Sequence, residues 1–286
     1  MTFDLAKGDY HPASRNLPQK DDRCMISRAI LTRIDRVAIQ GRTGPILSAC
    51  ETDSSEEVEV FVKLSAGCEQ NVVNLAREAV AACLAADLGL PVPKPWLVEI
   101  PREIIPVVSD AQVADKLRRS CKVAFGSTRS TGFSVWSSGQ RLSDLMKPLA
   151  VGILLFDAII QNLDRRTENP NCLVRGTDLR IIDHELAFAH RLILFWRAPW
   201  VLGGMAEFET PGRHIFVHEL KGKPFDFSEI KARWTALSDA RLQEYEAAIP
   251  PEWAAARADI DAALKLIAEA RDNIDACVEE LGRILT

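Results

Sequence analysis

An aspartate inside an apolar run constrains this chain most: Asp183 lies in LRIIDHELAF, beside Ile181 and Ile182. The run reads as a buried strand, where a carboxylate is costly unless a cation, a metal or hydrogen-bond donors meet it. Just upstream is DRRTENPNCLV, in which Asp164 and Asn169 are five residues apart, and the tight-turn sequence RGTD separates the two segments. Strand, turn and strand make a hairpin, and its ends bring Asp164, Asn169 and Asp183 near one another. The competing reading is plain turn chemistry for Asp164 and Asn169, with Asp183 a satisfied structural group at a strand end.

Phosphoryl transfer makes demands that such a set can meet. A carboxylate must accept or orient the proton of an attacking hydroxyl, and oxygen ligands must hold Mg²⁺ against nucleotide phosphates. On this reading Asp164 faces the acceptor, Asn169 turns back to the metal, and Asp183 is the rigid metal carboxylate.

The surrounding chain changes period as it proceeds. The segment 25–40 is rich in isoleucine and ends in a strand, GRTGP at 41–45 is a turn, and ILSACE follows. VEVFVKL at 58–64 alternates, with Val58, Val60 and Val62 on one face and Lys63 on the other. These segments predict an antiparallel hairpin. From Asn71 to Leu88 the spacing is helical, and Gly89 followed by LPVPKP ends the helix. WLVEI at 96–100 reads as a strand, 103–121 as a strand and then a short helix at DAQVADKLRR, and KVAFGSTRSTGFSVW as strand and loop crossing between two lobes. Residues 141–163 predict a largely buried helix, with Pro148 early in it or splitting it from a preceding turn. From Trp253, Ile260, Leu264, Ile267, Ile274, Val278, Leu281 and Leu285 predict one long amphipathic helix, packed on its own lobe or forming a dimer seam.

Composition narrows the function classes. A formal net charge of −5 argues against a general nucleic-acid binder, which needs a basic surface. Seven scattered cysteines without a CxxC pair read as reduced thiols rather than a metal site. The first residues are polar, without an apolar leader, and the apolar stretch from Pro148 to Leu163 is interrupted by Asp157 and Gln161. The expectation is a soluble, cytoplasmic protein that engages no membrane and no nucleic acid directly.

NLDRRTENPNCLV followed by LRIIDHELAF resembles the catalytic and metal-binding segments of HipA-like kinases, bacterial relatives of the eukaryotic-type protein kinases and phosphatidylinositol kinases. FVKL, NLAREAVAACLAADLGLPVP and AFGSTRSTGF also resemble that family, so the likeness is scattered over about residues 25–250. It implies an α+β, two-lobed protein-kinase-like fold, with a β-rich N-lobe over 1–137 and a mainly helical C-lobe over 138–286. It implies ATP and Mg²⁺ as cofactors and transfer of the γ-phosphate to a serine or threonine hydroxyl of a protein. Residue by residue, Asp164 resembles the catalytic base, and Asn169 and Asp183 the metal ligands. Lys63 resembles the strand lysine that contacts phosphates, and Glu78 the helix glutamate that pairs with it. A solvated strand-end lysine and a solvated helix glutamate are the competing readings.

There are departures from the family's pattern. The metal segment reads DHE rather than DFG, the loop reads DRR, and GxGxxG is missing. Gly41 and Gly44 form either a shorter phosphate loop or an ordinary hairpin turn. Arg165 and Arg166 either steady the loop, meet an acceptor phosphate or pair with a structural carboxylate, and Asn171 is a second metal candidate. Two alternatives share this logic: a small-molecule kinase of the aminoglycoside-phosphotransferase type, and a catalytically silent nucleotide-binding scaffold. The aromatic-rich segment 190–225 shapes the acceptor site, as a pocket or a peptide groove. The resemblance also implies an antitoxin-type protein partner.

Overall fold

Alternation and helical spacing are realised in a computed structural model that describes residues 26–38 and 43–286. Strands β1 (Ser27–Val37), β2 (Ile46–Thr52) and β3 (Glu57–Lys63) form an antiparallel meander, with Ile46 opposite both Val37 and Val62. Helix α1 (Val72–Asp87) follows, then β4 (Pro95–Glu99), α2 (Ala111–Arg119) and β5 (Val123–Thr128). The five strands close into a barrel in the order β1-β2-β3-β5-β4, sealed by parallel pairing of β1 with β4. Its interior is a small core of Leu31, Cys50, Val60, Val62, Trp96 and Val98, against which α2 packs Val113 and Leu117. A barrel this narrow leaves no room at Gly126 of β5. A Cβ there would lie 2.5 Å from Val60 Cγ1 and 2.8 Å from Val98 Cγ2.

The remaining chain begins with β6 (Ser134–Val135), α3 (Lys147–Ile159), β7 (Cys172–Arg175) and β8 (Asp178–Ile181), the three strands making an antiparallel sheet. Five helices follow: α4 (Val217–Leu220), α5 (Ser228–Thr235), α6 (Asp239–Ala248), α7 (Arg257–Asp272) and α8 (Ile274–Leu285). The fold is therefore mixed α+β, sheet-rich in its N-terminal part and helical in its C-terminal part. Helix α1 joins the two. Its alanine-rich surface allows close packing on every side, and Leu75, Ala79, Ala81 and Leu84 are wholly buried in the same core as Phe156, Trp234 and Trp253.

Three elements differ from the sequence expectation. The helix expected over 141–163 spans only Lys147–Ile159, because Pro148 sits in its first turn, where a missing N–H costs nothing. Gln161, at φ +58°, turns the chain sharply after it. Arg102–Val107 is a 3-10 helix containing Pro106 rather than a strand, while α2 starts where expected, with the Asp110 carboxylate accepting N–H bonds from Gln112 and Val113. The long C-terminal helix is two helices, parted at Asn273, whose φ of −117° is not helical. The break lets α8 fold back against α3 and α5, and Ile260, Ile267, Ile274 and Leu281 are buried within their own chain.

Six cysteines among the described residues are free thiols. Among those residues no helix is long and apolar enough to cross a membrane.

Gly126→Ala is expected to destabilise the protein by about 1–3 kcal/mol, since neither valine can move away within a closed barrel. The urea midpoint should fall with an unchanged slope. An unaltered midpoint would mean that the barrel interior has slack at this position.

Candidate active site

Lys63 ends β3 on the face opposite Val62, and its side chain is 9% exposed. Its ammonium meets three carboxylates: Glu78 Oε2 at 2.9 Å, Asp183 Oδ1 at 2.7 Å and Glu185 Oε2 at 2.9 Å. Burial opposes the Lys63 charge, but Glu78, Asp183 and Glu185 outweigh it and hold its pKa well above the usual lysine value. Glu78, in the second turn of α1, also accepts the backbone N–H of His184 at 2.8 Å. Burial opposes its charge too, yet Lys63 and then His184 hold its pKa below the ordinary carboxylate range.

The β7–β8 register delivers Asp183. Cys172 pairs with Ile181, so Ile182 lies opposite Asn171 and donates its N–H to the Asn171 carbonyl at 3.0 Å. The chain then turns at Asp183 (φ +62°), a left-handed conformation that aspartate tolerates better than most residues.

Between α3 and β7, Arg166 and Asn169 exchange backbone hydrogen bonds of 3.1 and 3.0 Å, closing a tight turn. That turn puts Asp164 and Asn169 side by side. The Asn169 amide donates to Asp164 Oδ2 at 2.8 Å, and the Asn171 amide reaches the same oxygen at 3.2 Å. Asp164 has its pKa raised, by burial first and by the charge of Asp183 second, against the opposing pull of Arg166. The loop carboxylate and the hairpin carboxylate therefore feel one another.

A buried network underlies both. Arg165, fully buried, forks onto Asp157 of α3, with bonds of 2.6 and 3.2 Å. It also donates to the carbonyls of Asn171 and Ile182 and to His184 Nε2 at 2.9 Å. A guanidinium only donates, so the His184 proton lies on Nδ1, 3.5 Å from Glu78 Oε1. On the other side of Asp157, His214 Nε2 lies 3.1 Å away, while its Nδ1 accepts the Phe216 N–H. Burial opposes the Asp157 charge, but Arg165 and His214 hold its pKa far below the usual range.

The structure thus brings Lys63, Glu78 and Asp183 into direct contact, with Asp164 and Asn169 beside them. Of the two glycines, Gly41 lies outside the described residues. Gly44 (φ +53°) accepts a 3.0 Å bond at its carbonyl from Lys116 of α2. Glu185, Asp157, His214 and Lys116 were not among the residues singled out for function. Glu185 was visible only as a departure from glycine, and Asp157 only as a charge interrupting an apolar helix. Carboxylate oxygens of Glu78, Asp183 and Glu185 lie within 4.8 Å of one another, a hard-oxygen donor set that suits Mg²⁺. In the segment after them, Leu192, Leu194 and Phe195 are exposed, whereas Met205, Phe208 and Phe216 are buried in the core.

An ammonium held among carboxylates and faced by a further acidic group suits a phosphorylated ligand and a hard cation, and the class this points to is the kinases. The HipA-like kinase profile matches residues 31–280, and the chain belongs to that family. By family it is a kinase-type phosphotransferase, which implies use of ATP and, as a rule, a divalent metal. No curated protein matches the chain significantly. Among solved structures, the crystal structure of the Helicobacter pylori proinflammatory kinase CtkA is similar at 10% identity, over 89% of this chain and 98% of that one, with a TM-score of 0.47.

Arg165→Met should cost about 3–5 kcal/mol, because Asp157 would be left buried without its partner. Acid should act on the same network. Burial lowers the His214 pKa, so below about 6.5 the unfolded chain binds a proton that the folded chain resists. Stability is expected to decline as pH falls through that value, and His214→Gln should flatten this part of the curve. Chemical denaturation at several pH values reads both effects.

Proposed function

We propose that the chain is an ATP- and Mg²⁺-dependent phosphotransferase with two lobes, an N-lobe over 1–137 and a C-lobe over 138–286, acting on a hydroxyl acceptor in the cytoplasm. The observation that carries the reading is the Lys63 ammonium fixed by buried Glu78 and bonded to Asp183, whose charge in turn reaches Asp164. Lys63 orients and neutralises nucleotide phosphate, and Glu78 keeps the ammonium in place. Asp164 takes the proton of the attacking hydroxyl, and its amide neighbours Asn169 and Asn171 aim its carboxylate. Asp183 and Asn169 would hold Mg²⁺, which supplies charge neutralisation on the phosphates when bound. The remainder of catalysis is positioning, and the Asp157–Arg165 pair beneath the loop provides it.

The acceptor we favour is a serine or threonine hydroxyl of a protein. Exposed Leu192, Leu194 and Phe195, in the segment after Asp183, suit a peptide surface better than an enclosed small-molecule pocket. An antitoxin-type protein partner fits the same reading.

Asp164→Asn is expected to lower turnover by about two orders of magnitude or more while ATP binding persists. Asp183→Ala should instead remove the Mg²⁺-dependent part of nucleotide binding. Labelled ATP with mass spectrometry of the protein and of a lysate reads the first, and calorimetry the second. Equal transfer rates for wild type and Asp164→Asn would refute the base assignment.

A further inference from the structure

An ammonium has three N–H donors, and three carboxylates crowd the one at Lys63. Glu78 Oε2 and Asp183 Oδ1 accept hydrogen bonds from it, and Glu185 Oε2 closes the ring as an ion pair at 2.9 Å. A nucleotide phosphate reaching Lys63 must therefore replace one carboxylate. Glu78 is pinned: its side chain is 6% exposed and it also accepts the His184 N–H at 2.8 Å. Asp183 is held by its short side chain at a sharp turn of the backbone.

Glu185 differs from both. Its backbone is fixed, since the Asn74 amide donates to its carbonyl at 2.9 Å. Its carboxylate, at the end of a longer side chain, is otherwise met by the Cys68 thiol at 3.9 Å, a weak contact. It is the most replaceable of the three, and it stands where DFG-type segments have glycine and so no competing side chain.

We infer that Glu185 occupies the phosphate position on Lys63 in the nucleotide-free protein, and that nucleotide binds by exchanging with it. The chain carries its own competitor for the nucleotide, an autoinhibitory contact that sets the affinity of the site. The inference rests on the nucleotide-binding reading above. A destination for the released carboxylate is nearby. Lys116 feels the Glu185 charge, and among the described residues it forms no ion pair and donates only to the carbonyls of Thr43 and Gly44.

The test is ATP affinity by calorimetry, with EDTA and with Mg²⁺, for wild type, Glu185→Gln and Glu185→Asp. Both variants should fold as the wild type does, because Glu78 and Asp183 still hold Lys63, and thermal melts check this. Glu185→Gln is expected to bind metal-free ATP about tenfold tighter. Glu185→Asp keeps the charge but withdraws it from Lys63, and it should tighten binding in the same direction. A Glu185→Asp affinity equal to wild type would reduce the effect to a general field and overturn the exchange. So would weaker Mg²⁺–ATP binding by Glu185→Gln with metal-free affinity unchanged, which would make Glu185 a metal ligand. Wild type that binds ATP with variants no different sinks this inference alone. Failure of all three proteins to bind ATP sinks the nucleotide reading with it.

Discussion

The charge on Lys63 organises the site. An ammonium buried at the end of a barrel strand is tolerated only when carboxylates surround it, and none of its three partners is on its own strand. Glu78 comes from α1, and Asp183 and Glu185 from the segment after β8. Satisfying that one cation therefore fixes how the barrel, the central helix and the hairpin sit against one another. The same geometry leaves a buried ammonium among carboxylate oxygens, a preorganised cation of the kind that phosphate transfer uses.

A second buried charge mirrors the first. Asp157 interrupts an otherwise apolar helix, and Arg165 meets it from the loop that carries Asp164. The guanidinium has donors to spare, and it spends them on the carbonyls of Asn171 and Ile182 and on His184. His184 in turn faces Glu78. One imidazole thus touches both networks, so the loop that presents Asp164 and the lysine that meets the carboxylates are braced against the same residue. Both networks are bonded throughout, which is the condition under which buried charge rigidifies a site rather than loosening it.

Much of this was legible in advance, for local reasons. The alternation of VEVFVKL put Lys63 on the face opposite the valines, and β3 has that arrangement. The period change after Asn71 marked α1, and RGTD marked the β7–β8 turn, where Gly176 has φ +59°. Errors came where local signals were weak or overridden. Pro106 and its neighbours read as a strand from their apolar character, yet they wind into a 3-10 helix. The stripe from Ile260 to Leu285 keeps helical spacing across Asn273, so periodicity alone could not reveal a break that packing against α3 and α5 imposes.

By itself the sequence determined the elements, the D-x4-N loop and the aspartate after a buried strand, because each depends on neighbours a few residues apart. Only the tertiary structure decided which charges meet. Lys63 and Asp183 are 120 positions apart, and His214 and Asp157 are 57 apart. No local rule pairs such residues. They are brought together because burying the apolar faces of α1, α3 and the barrel forces their charged groups into the same low-dielectric space, where each must find a partner.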